Sequence, residues 1–198
     1  IGVRLVGSEM CIRDSDMSSK GGWSNSYDRY VRKAVEHNQE ILPYFFARKD
    51  GSRQYYTAAN WGPYLSEFVT QAVQRYGYGG SFWKANPDLP YRPIWAWEVW
   101  NEPNFNVNSP SETANGETYA LFLRAMWETI NVAQNAIEPG AHYTAVLFGG
   151  IYQPDRGIPL PTYLQQAKNA NIGINAYYNG LSIHPYGFGT AAKPANTE

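Results

Sequence analysis

The feature that most restricts this chain is the run IWAWEVWNEPN at residues 94–104, apolar and aromatic for most of its length and then abruptly polar. Such a run suits a strand covered on both faces, where continuous hydrophobicity replaces alternation. Pro103 has no backbone donor for a further ladder position and stops the strand. Glu102 is thereby set at the carboxyl end of a buried strand, the end at which functional side chains collect in barrels of alternating strands and helices.

The flanking segments supply that alternation. Tyr27, Tyr30, Val31, Ala34 and Val35 recur at helical spacing with charged residues between them, so residues 26–38 read as an amphipathic helix. ILPYFFA at 41–47 reads as a buried strand in spite of Pro43, and the polar stretch 49–59 as a loop at its carboxyl end. A second helix is expected from Asn60, a good N-cap, with Pro63 in its first turn and Gly77 at its end. Trp61, Tyr64, Phe68, Val69, Ala72 and Tyr76 belong to its apolar stripe. Residues 77–93 lack periodicity and read as a long connection.

Beyond the central strand, Ser109 to Glu112 has capping-box spacing, and the main helix is expected over 117–138, burying Tyr119, Phe122, Met126, Ile130, Ala133 and Ile137. A strand over 142–152 follows, its Gly149-Gly150 pair leaving room for a ligand or a tight turn. A weaker helix at 161–170 leads to a last strand, LSIHPYG at 181–187. Helix and strand thus alternate four times, which predicts an α/β fold of parallel strands joined by right-handed crossovers, with no linker or second domain.

Bulk properties narrow the function. A formal net charge of -1 with no basic run points to neither nucleic acid nor an anionic membrane surface. No apolar stretch approaches the roughly 20 residues of a membrane span. The aromatic content of 16% fits either sugar stacking or ordinary core filling. Cys11 is the only cysteine, so no internal disulfide is possible. His37, His142 and His184 are too dispersed for a metal-ligand spacing, and neither a metal nor another cofactor is expected.

Residues 1–15, IGVRLVGSEMCIRDS, resemble a translated adaptor leader found at the start of unrelated reading frames assembled from short reads. They are expected to be non-native, leaving 16–198 as the domain and any signal peptide unread; the competing reading is a genuine strand, IGVRLV.

WEVWNEPN at 97–104 resembles the fourth-strand motif of the clan A glycoside hydrolases, retaining enzymes of the cellulase-like family 5 and family 39 type. The resemblance implies a (β/α)8 barrel, with Glu102 as general acid/base and Asn101 holding the sugar hydroxyl beside the scissile bond. LSIHPYG resembles the sixth strand of that clan, which suggests His184 and Tyr186 as substrate-site residues; the alternative is a His and a Tyr satisfied by backbone at a strand end. At 198 residues the chain is short of the about 250 such a barrel usually needs, so a partial barrel covering roughly the third to sixth strands is expected.

Glycoside cleavage through an oxocarbenium-like transition state requires a second carboxyl group. Glu98 lies four positions before Glu102. On a straight strand at about 3.3 Å per residue the two are roughly 13 Å apart, against about 5 to 5.5 Å for a retaining pair. Glu98 therefore reads as a structural carboxylate. The resemblance places the nucleophile at the end of a seventh strand, expected beyond residue 198, which would leave the fragment inactive alone. The expected partner is a carbohydrate with β-linked sugars, and a polysaccharide substrate would require export. A catalytically inactive carbohydrate-binding barrel is the alternative.

Overall fold

The computed structural model describes residues 10–12, 27–45, 62–105, 115–140, 144–152 and 157–184. Five strands form one sheet: β1 (Met10–Ile12), β2 (Pro43–Phe45), β3 (Ala96–Asn101), β4 (Ala145–Tyr152) and β5 (Gly180–His184). They lie in the order β1-β2-β3-β4-β5, and every neighbouring pair is parallel. Parallel neighbours need crossovers, and right-handed crossovers that all step in one direction put the helices on one side. That is the topology of part of a (β/α) barrel; a doubly wound sheet reverses its strand order and carries helices on both faces. Residues 10–12, set aside with the leader at the sequence level, form an edge strand in register with β2, so the sheet has one strand more than expected.

The helices are α1 (Tyr27–Glu36), α2 (Gly62–Tyr76), α3 (Ser81–Ala85), α4 (Gly116–Ile137) and α5 (Leu160–Asn169). α1 buries Tyr27, Val31, Ala34 and Val35. Tyr30, expected on the same stripe, is 53% exposed, because it falls at the stripe's edge, where the Arg29 guanidinium lies 5.5 Å from its ring centre. α1 is tied to α2 through Asp28, which accepts from Arg75 Nε at 2.8 Å and from the Tyr76 hydroxyl at 2.7 Å. The connection expected at 77–93 contains α3, which the sequence pattern missed. Five residues are too few to show a period, yet α3 buries Phe82 and Trp83, and Trp83 Nε1 donates to the Tyr76 carbonyl at 2.9 Å.

α4 begins as the spacing predicts, the Asn115 side chain accepting from the Glu117 amide at 2.7 Å. It buries Tyr119, Phe122, Met126, Ile130 and Ala133, while Ile137 is half-buried at its end. Asn60, the Ser109 capping box and His142 lie outside the described residues.

The helix-side core begins where Trp97 stacks on Phe45, with centres 5.2 Å apart, and Phe45 meets Phe68 of α2 edge-on. It continues through Tyr119, packed on Phe148 and Tyr163.

Candidate active site

The site is built where β3 stops being a regular strand. Trp100 and Glu102 have φ of 75° and 51°, the left-handed region that costs a non-glycine residue about 1–2 kcal/mol. Alternation breaks there. Trp97 faces the helices, and Trp100 also turns to that side to pack edge-on against Phe122 of α4, with centres 5.5 Å apart.

The strained turn is held on several sides. The Glu102 amide donates to the Gly150 carbonyl and the Phe105 amide to the Glu102 carbonyl, each at 2.9 Å. Asn104, 1% exposed, works as a strand mimic. Its carbonyl oxygen accepts from the Tyr152 amide at 2.9 Å, and its amide donates to the Tyr152 and Ile158 carbonyls at 2.8 and 2.9 Å. Sequence reasoning passed over Asn104. Its signal was available, since an Asn just past a strand-ending proline both donates and accepts where the ladder fails.

Three ionisable side chains meet on the sheet. His184, the last residue of β5, places Nδ1 3.2 Å from Glu102 Oε1 and Nε2 3.5 Å from Glu98 Oε1. One imidazole thus lies between a carboxylate of β3 and one in the turn that follows it. The same Glu98 oxygen accepts the Gly150 amide at 2.8 Å, and Glu98 is only 3% exposed. His184 is held protonated, its pKa pushed up to about 9 by the hydrogen bond to Glu98 and, after burial's opposing effect, by that to Glu102.

The glycine pair is used by the protein itself. A Cβ on Gly149 would meet the Val99 carbonyl oxygen at 2.2 Å, and one on Gly150 would meet His184 Nε2 at 2.1 Å. The room expected for a ligand therefore holds the β3 backbone and the His184 ring. Tyr119 locks this part of the sheet from the helix side, donating to the Val99 carbonyl and accepting the Gly149 amide, both at 2.8 Å.

Of the residues singled out from sequence, Glu102 and His184 are in contact, and Asn101 occupies the last β3 ladder position, paired with Gly150 and half-buried. Tyr186 lies outside the described residues. Glu98 joins the cluster although a straight strand would keep it roughly 13 Å from Glu102. That spacing presumes extended backbone, which the left-handed residues interrupt, and it omits an imidazole reaching both side chains. Among the described residues no group of three or more His, Cys, Asp or Glu side chains is arranged to hold a metal ion. A cleft of about 540 Å³ opens at the other end of β3, around Tyr78, Tyr91 and Trp95, with Glu40 its one carboxylate.

No protein-family model matches the chain, and no curated protein does. Among solved structures, the catalytic domain of GH30 xylanase C from Talaromyces cellulolyticus is similar with a TM-score of 0.49 and 16% identity. The match covers 79% of this chain and 35% of that one, so the chain spans about a third of the length of the structure it resembles.

Proposed function

We propose that this chain is the acid/base half of a retaining glycoside hydrolase acting on β-linked sugars. The observation that carries the reading is Glu102, a mostly buried carboxyl group at the carboxyl end of a core strand, held in a strained turn and facing an ionisable partner in His184. Strained backbone that its surroundings over-determine is a mark of functional positions. Asn101, directly before it, is the substrate-hydroxyl ligand in this reading, and Tyr186 lies two residues past His184 on the same segment.

In the first step Glu102 donates its proton to the glycosidic oxygen while a second carboxylate attacks the anomeric carbon. In the second, Glu102 takes a proton from the water that releases the sugar. Glu98 is unsuited to the attack, because it is buried, it accepts the Gly150 amide, and the His184 ring lies between it and Glu102. The nucleophile in this reading belongs to a part of the parent protein outside the described residues.

The test is the complete protein expressed from its gene and assayed on a panel of aryl glycosides. Glu102→Gln is expected to slow substrates with poor leaving groups by about 10²- to 10⁴-fold, the usual worth of general acid catalysis, and to spare those with activated leaving groups. Equal rates on poor leaving groups would remove Glu102 from the mechanism. Sugar binding without turnover in the unsubstituted protein would favour a binding barrel.

A further inference from the structure

We propose that Glu98 is a positioning residue that acts through His184 on Glu102, fixing when the acid/base gives up and takes back its proton. This rests on the acid/base reading of Glu102. The geometry is a chain of three groups. Glu98 Oε1 receives the Gly150 amide at 2.8 Å and faces His184 Nε2 at 3.5 Å, and the opposite ring nitrogen faces Glu102 at 3.2 Å. A buried carboxylate needs a cationic or donating partner, and a single amide is modest compensation for Glu98 at 3% exposure.

An imidazole can donate from both nitrogens only when protonated. Between two carboxylates that form is favoured, and it directs Nδ1–H at Glu102. The groups facing His184 among the described residues come from two neighbouring strands. β3 contributes Glu98 and the turn after it Glu102, and β4 contributes Gly150, without a side chain, and Tyr152, in register with His184. Negative charge at Glu98 also offsets the imidazolium as Glu102 experiences it, so the acid/base faces a neutral pair and a directed N–H donor.

Glu98→Gln separates these effects, because the oxygen that faces His184 is the one that accepts the Gly150 amide. A glutamine keeps its carbonyl oxygen there to satisfy that amide, and a neutral His184 then spends its single proton on residue 98. Nδ1 is left bare, and Glu102 can meet it only by keeping its own proton. The basic limb of the pH–rate profile should therefore move to higher pH.

The experiment is NMR titration of the His184 ring together with pH–rate profiles of the complete protein, with His184→Gln used to assign the signal. In the unsubstituted protein we expect a midpoint near 9 and two ring N–H signals below it. Glu98→Gln is expected to return the midpoint toward the ordinary value of about 6.5 and to raise the basic limb. A midpoint near 6.5 in the unsubstituted protein overturns the proposal even if the variant does not fold. A fallen midpoint with an unmoved profile overturns it as well. Full activity of Glu102→Gln instead marks failure of the hydrolase reading, since that variant leaves Glu98 intact.

Discussion

At the residue scale, Gly150 is the position at which packing and chemistry coincide. A methyl group there would sit 2.1 Å from His184 Nε2 and 2.4 Å from Cε1, and the ring has carboxylates at both nitrogens. Gly150→Ala should thus destabilise the protein by about 1–3 kcal/mol, the usual cost of overpacking, and lower the His184 titration midpoint. The pH dependence has a definite sign. A histidine whose folded pKa is raised to about 9 contributes stability that is complete below its ordinary value and is lost as pH rises through about 9. Denaturant unfolding should accordingly show the gap between the two proteins narrowing as pH rises from about 6.5 to about 9, and a gap constant with pH would mean the ring had not moved. The glycine pair was legible in the sequence as a place needing space. Its occupant was not, because His184 comes from a strand more than thirty positions later.

At the element scale, β3 was the most legible part of the chain up to Val99 and the least legible after it. Its apolar run and the polar turn at its end marked a buried strand ending in Glu102. The left-handed conformations of Trp100 and Glu102 run against local preference, so no propensity argument could find them, and with them went the extended spacing used to place Glu98. What stabilises the irregular end is supplied from outside the strand by Asn104 and Tyr119. Tyr119 satisfies two buried backbone groups with one hydroxyl, and burial pushes that phenol's pKa upward. Tyr119→Phe keeps the ring packing on Phe148 and orphans the Val99 carbonyl and the Gly149 amide. It is expected to cost about 1–3 kcal/mol by denaturant unfolding, and a loss under half a kcal/mol would show that the strands hold their register without it.

At the scale of the whole molecule, the order of helices and strands was readable because each long element carries its own period, and that order alone implied parallel strands joined by right-handed crossovers. The edges were less readable, since pairing joins residues far apart in sequence. Among the described residues β5 is an edge strand whose burial alternates, and its outward side chains Leu181 and Ile183 are 38% and 45% exposed. An apolar edge with unpaired backbone groups is a template for pairing with another chain. The 198-residue chain should therefore self-associate as its concentration rises, seen as a growing mass in sedimentation equilibrium. Replacing Leu181 and Ile183 together with threonine places β-branched, strand-compatible side chains at both positions while removing apolar surface. Both positions keep much of their solvent exposure, so the double variant should lose little stability while its association weakens. Association undiminished in a folded double variant would place the contact elsewhere in the chain and remove β5 as its seat.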